Sequence, residues 1–188
     1  EIFVDAKIHL AFMYQRQGRI DDAVKAIKEA IDIKGTDIEL YKLLASIYKE
    51  AGRLDDSVNT LQQALLIEPK NADLHFTVGA LYDEAGHREK SMEEMRIAIK
   101  LNPDHVNALN YLGYTYAELG INLEEALALI KKAFSIKPDS GHIIDSLGWV
   151  YYKMGEITLA VQELERAIKY MPNDPVVLEH LGDAYLKK

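Results

Sequence analysis

Apolar and small residues recur at helical spacing in block after block of this chain. In "ALNYLGYTYAELG", residues 108–120, Leu109, Leu112, Gly113 and Tyr116 stand at i, i+3, i+4 and i+7. In "IIDSLGWVYYKMG", residues 143–155, Ile144, Leu147, Gly148, Tyr151 and Met154 gather on one side of a helical wheel. His142, Asp145, Trp149 and Lys153 gather roughly opposite, with Tyr152 at the border. Each block ends on a Gly, where a positive φ costs little. A second helical stretch then opens with acids such as Asp21-Asp22, Asp55-Asp56 or Glu124-Glu125, which suit the positive end of a helix dipole. It ends near a Pro, which cannot continue a helix. Asp37, Asn71, Ser140 and the pair Asp174-Pro175 are placed to start the next helix. The pattern predicts an all-α chain of helix-turn-helix units.

The units repeat. Gly18, Gly52, Gly86, Gly120 and Gly155 are spaced by 34, 34, 34 and 35 residues. Tyr14, Tyr48, Tyr82, Tyr116, Tyr151 and Tyr185 keep the same step, as do Ala30, Ala64, Ala98, Ala133 and Ala167. Pro69, Pro103, Pro138 and Pro172 form a further column. Several independent columns in one register are a structural repeat, not chance. The expected repeats cover about 4–37, 38–71, 72–105, 106–140 and 141–174, with a half repeat at 175–188. That last piece is expected to cover repeat five or to be the first helix of a sixth. The chain starts without Met and stops part-way through the pattern, so it reads as a piece of a longer protein.

These columns resemble the tetratricopeptide repeat (TPR), whose pattern runs W-x2-L-G-x2-Y, then A-x3-F, then P. "LNYLGYTY" at 109–116 and "IDSLGWVY" at 144–151 match its first block, with Leu109 and Ile144 in the Trp slot. Ala23 with Ile27, Ala126 with Ile130 and Ala160 with Leu164 match the second, while Ser57 and Ser91 stand in for Ala in repeats two and three. The resemblance covers essentially the whole chain. It implies a right-handed α-solenoid with a concave face built mainly from the first helix of each repeat. One small-residue column, Ala11, Ala45, Gly79, Gly113, Gly148 and Gly182, is expected where helices nearly touch. The Tyr column is expected in the core, as packing bodies with polar tips. Repeat four carries one extra residue in "GINLEEA", read as a longer turn with Asn122 as the helix cap.

Composition narrows the function. Acids outnumber Lys and Arg 30 to 22 and the formal charge is −8, which argues against nucleic acid as a partner. Cys is absent, which removes disulfides, thiol nucleophiles and thiolate metal sites. No run approaches the ~18 apolar residues a membrane helix needs. No phosphate loop, dinucleotide fingerprint or H-E-x-x-H is present. His142 with Asp145 and His180 with Asp183 offer two ligands each, short of a zinc site. No catalytic, cofactor or metal residue is therefore assigned, and no enzyme activity is expected.

The resemblance implies instead a scaffold that holds a protein or peptide partner in its groove. The alternatives are a structural spacer or dimerisation module, with copies self-associating, and a regulatory arm of an enzyme whose catalytic part lies elsewhere. The chaperone-type carboxylate clamp of the family does not carry over: its slots hold Lys42, Ser46, Thr77, Asn107 and Tyr111, and only Lys42 fits. The stretch from "ALNYLGYTYAELG" to "VVLEHLGDAYLKK" is similar to the last repeats of bacterial cell-envelope TPR lipoproteins, which implies an adaptor on the periplasmic side of an outer membrane. The lipid-bearing Cys of such proteins is not in this sequence. Groove-facing wheel positions assign the partner patch to Asn110, Tyr111, Tyr114, Asp145, Trp149 and Tyr152. Tyr114 and Trp149 hold equivalent slots and are expected to lie side by side, while Ser46 and Ala80 leave more room in that slot of repeats two and three. The acids Asp73, Asp83, Glu84 and Glu118 favour a partner with Lys or Arg.

Overall fold

The computed structural model describes residues 2–188. Among them are eleven helices and no strand: α1 (Ile2–Arg16), α2 (Ile20–Ile33), α3 (Ile38–Glu50), α4 (Leu54–Ile67), α5 (Ala72–Glu84), α6 (Arg88–Leu101), α7 (Val106–Leu119), α8 (Leu123–Ile136), α9 (Gly141–Met154), α10 (Ile157–Tyr170) and α11 (Pro175–Lys187). The chain divides into two compact units, Glu1–Glu94 and Met95–Lys188, with the division inside α6.

Chain reversal within each pair follows from one glycine. Gly18, Gly52, Gly86, Gly120 and Gly155 all have φ between +66° and +83°, where a side chain would be strained. The next amide then bonds back to the carbonyl of the column Tyr: Arg19 to Tyr14, Arg53 to Tyr48, Ile121 to Tyr116 and Glu156 to Tyr151, at 2.8–3.0 Å. This six-to-one bond satisfies a carbonyl that a helix end would otherwise leave exposed.

Helix starts are more varied than their sequences. Asp37, Asn71 and Asp174 accept from backbone amides of the first turn, while Ser140 sits at the cap position without a side-chain bond. His105, which no cap rule selects, accepts from the Ala108 amide through Nδ1 at 3.1 Å. Asn122 precedes α8 but makes no side-chain cap bond. Its contribution is conformational: φ is +47°, a left-handed state that Asn tolerates better than most residues. The extra residue of repeat four is absorbed there.

In the first unit α1 packs on α2, α2 on α3, α3 on α4 and α4 on α5. Ala11, Ala23, Ile27, Leu44, Ile47 and Tyr48 form one core cluster, and Ala45, Val58, Leu61, Leu74, Val78 and Leu81 another. In the second unit α7 packs on α8 and α9, α9 on α10, and α11 on both α9 and α10. The small-residue column works here as close packing. A Cβ on Gly113 would lie 2.7 Å from Ile130 Cγ1, and one on Gly148 would lie 2.6 Å from Leu164 Cγ. Gly182 of α11 has nothing within 4 Å of that position. The Tyr column is not uniformly core. Tyr48 and Tyr116 are buried, whereas Tyr185 is 49 % exposed, with its hydroxyl bonded to Glu165.

Candidate partner-binding site

All six expected patch residues lie in the second unit, on α7 and α9. α7 and α9 pack against each other. The close approaches at Gly113 and Gly148 seat each one against its own second helix. At the far edge, Asp174 starts α11 by accepting from the Val176 and Val177 amides at 3.0 and 3.2 Å, with Pro175 in the first turn. α11 then lies against α9 and brings His180 to it.

His180 changes the site. Its ring stacks on Trp149 at 3.9 Å between centroids and 13° between planes. Tyr152 stacks on Trp149 at 4.8 Å and 8°. Lys153 Nζ lies 4.8 Å from the Trp149 ring centroid, and Lys187 Nζ lies 4.1 Å from that of Tyr152, both within cation–π range. The indole N–H donates to the Glu118 carboxylate. Trp149 is therefore only 7 % exposed, and Asp145 only 6 %. The open Trp149 face expected from the helical wheel is corrected on this point, because a wheel of α9 alone cannot show that α11 covers it. Asp145 does not pair with His142 one turn away. It pairs with His180, itself 5 % exposed, at 2.9 Å from Nδ1 to Oδ1; a carboxylate only accepts, so the ring donates.

The other four residues are half-buried. Tyr114 is not stacked directly on Trp149; its ring lies 6.2 Å from that of His180, at 39°. Burial, and then the nearby carboxylates of Glu118 and Asp145, push the Tyr114 phenol well above its ordinary value, so it stays a neutral donor. Asn110 and Tyr114 of α7, His142, Asp145 and Ser146 of α9, and Asp174, Val176 and Val177 at the start of α11 bound a pocket of about 280 Å³. Its walls carry two carboxylates and no Lys or Arg. The Asn110 side-chain oxygen, Oδ1, is buried beside it without a hydrogen-bond partner. Sequence reasoning did not include Asp174, Val176, Val177 or His180 in the patch. The available signal was the half repeat itself: a third first helix must line the same face as the two before it.

Among the described residues no group of three or more His, Asp or Glu is placed to hold a metal ion. No helix among them is long and apolar enough to cross a membrane.

A family model described as TPR repeat matches residues 45–86 and 148–188. Models described as tetratricopeptide repeat match 4–34, 72–105 and 96–128. The TPR repeat-containing protein PA4667 of Pseudomonas aeruginosa is 42% identical over 76 residues, which is 40% of this chain and 13% of that protein. Among solved structures, a tetratricopeptide repeat protein from Parabacteroides merdae aligns with TM-score 0.84 at 21% identity, covering 100% of this chain and 74% of that one. PilW, a type IV pilus biogenesis factor, aligns with TM-score 0.72 at 19% identity, covering 98% and 90%. YrrB, a TPR protein with an unusual peptide-binding site, aligns with TM-score 0.71 at 18% identity, covering 92% and 89%.

Proposed function

The chain is a tetratricopeptide repeat protein, and from that premise we propose that it is a non-catalytic scaffold holding a segment of a partner protein against α7, α9 and α11. Tyr111, Tyr114, Tyr152 and Asn110 supply the contact surface, while Trp149 and Asp145 back it from below. The observation that carries this reading is the pocket between the three helices, with Asp145 and Asp174 in its walls. Asp145 is held by His180, but Asp174 has no cation beside it and favours a Lys or Arg of the partner. Half-buried tyrosines give large contact area at small entropic cost, which is why they recur among binding hot spots. Our reading is an adaptor of a bacterial envelope complex: the resemblance of the last repeats supports the envelope part, and the relative in Pseudomonas aeruginosa supports only the bacterial part.

A peptide array probed with the labelled chain tests it. Selected peptides should be enriched in Lys or Arg. Tyr114→Ala and Asn110→Ala should weaken the selected peptides by about tenfold or more, the scale of a hot spot. Selection that ignores peptide charge and survives both variants would sink the assignment.

Self-association is a second reading, favoured by apolar side chains left open on α1 and α11. Ile2, Phe3 and Met13 are 84, 76 and 58 % exposed, and Leu186 is 88 % exposed. Light scattering over a range of concentrations separates the two: a mass that doubles with concentration supports self-association.

A further inference from the structure

The first unit carries a pocket of different chemistry. Ala45, Ser57, Leu61, Ala80 and Leu81 form its floor, and Lys42 and Lys49 of α3 stand at its mouth beside Ser46 and Thr77. Its volume is about 270 Å³. Small-molecule sites start at roughly 300 Å³ and run far higher, so this one suits a single side chain and not a whole ligand.

The hydroxyl protons of Ser57 and Thr77 are already used. Ser57 Oγ donates to the Ala45 carbonyl at 2.7 Å, and Thr77 Oγ1 donates to the Asp73 carbonyl at 2.7 Å. The floor therefore offers no free donor, and an aliphatic side chain enters it without leaving a polar group of its own unpaired. The charged lining residues are Lys42 and Lys49, each paired only at the surface. Lys42 binds Glu39 at 2.9 Å and Lys49 binds Glu84 at 2.7 Å, with side chains about half exposed or more. Ion pairs of this kind are weak and exchangeable, so an incoming carboxylate replaces Glu39 or Glu84 at little cost. The two lysines stand seven residues apart on one helix, about 10 Å along its axis. In an extended segment, residues two apart face the same way, and four residues span about 13 Å. Lysine side chains are long enough to meet that spacing.

We propose that the first unit holds a second binding site, for an extended partner segment that seats one aliphatic side chain in this pocket and sets a carboxylate two residues to each side against Lys42 and Lys49. This goes beyond the preceding reading and shares neither residues nor ligand chemistry with it, since that site lies in the other unit and takes a basic partner.

The test titrates the whole chain, labelled for amide NMR, with the capped peptide Gly-Glu-Ser-Leu-Ser-Glu-Gly, whose core reads the same in either direction. The expected result is saturable shifts at Ala45, Ser46, Ala80 and Leu81. Replacing the peptide Leu by Ala should abolish them, and replacing both Glu by Lys should weaken binding at least tenfold. On the protein, Lys42→Glu with Lys49→Glu should weaken binding about tenfold, and Ala80→Leu should block it by filling the pocket. If Ala80→Leu does not fold, Ser46→Leu replaces it, because Ser46 is exposed at the mouth. No saturable shift by about 5 mM peptide overturns the proposal, since the interaction would then be weaker than about 4 kcal/mol. Binding unaffected by the Leu→Ala or Glu→Lys peptide overturns it, and so do shifts confined to α7, α9 and α11.

Discussion

Ser46 and Ala80 of the first unit stand in the same repeat slot as Tyr114 and Trp149 of the second. In the first unit the slot borders an open pocket with an apolar floor, and the charged groups at its mouth sit in exposed pairs. In the second, Tyr114 borders the other pocket, but the Trp149 position is filled: its ring stacks with Tyr152 and with His180, and a buried Asp145–His180 bond ties His180 in place. The backbone is the same helix pair in both places. What a repeat fixes is the scaffold and its turns, and what one position on it fixes is whether the surface above is open or closed. A binding face on such a scaffold is therefore written in the residues that break the repeat, not in those that keep it.

The sharpest way to break the comparison is to empty the filled slot. Trp149→Ala removes a ring that is 7 % exposed and stacked with both Tyr152 and His180. The expected loss is about 3–5 kcal/mol, the usual range for a large aromatic truncated in a core. Urea melts followed by circular dichroism measure it, since the only Trp has been removed. Should the midpoint stay within error of wild type, Trp149 contributes only surface and the second unit is as open as the first.

How much of this was legible in the sequence depends on whether the signal was periodic. The five glycines at +66° to +83° and the helix starts at 38, 72, 106, 141 and 175 follow columns that any repeat search finds. The close approaches at Gly113 and Gly148 were readable for the same reason. Features made by one residue on a distant helix were not. His180 reaches Asp145 across thirty-five residues, and no local spacing shows that bond. Ser57 and Ser91 looked alike, each replacing Ala at one column position. In the structure Ser57 finds the Ala45 carbonyl, whereas the buried Ser91 oxygen has no partner. Hydrogen-bond reach is a property of three-dimensional neighbours, and the column does not record it.

A second break tests the scaffold under the filled slot. A Leu at Gly148 must enter space held by Leu164, whose Cγ and Cδ2 lie 2.6 and 2.9 Å from the ideal Cβ position. Leu164 is fully buried, so it can move aside only by displacing its own neighbours. Overpacking of this kind costs about 1–3 kcal/mol or more. Here Trp149 fluorescence reports on the second unit alone. A Gly148→Leu chain as stable as wild type would mean that α9 and α10 can move apart at no cost, which the comparison does not allow.

Gly182 occupies the matching column position but meets nothing within 4 Å. It is exposed and helical, so Gly182→Ala only restricts the unfolded chain and improves helix propensity. The expected change is a gain of about 0.5–1 kcal/mol. The sign is the informative part: Ala should stabilise at 182 and destabilise at 148. The same sign at both positions would show that the column does not read close packing.

The smallest expected effect closes the comparison from the open side. Ala80→Leu adds a large side chain to the slot that Trp149 fills in the second unit. Ala80 is half-buried and borders the pocket of about 270 Å³, so the new side chain has room without displacing Leu61 or Leu81. It also covers apolar floor that water now touches, which offsets the entropy of ordering it. The net change in stability should stay within about 0.5 kcal/mol of zero, as for surface substitutions. Urea melts of wild type and variant decide it. A loss of about 2 kcal/mol would mean that the slot is already closed by packing, in which case the first unit is not open and the two regions do not differ as described.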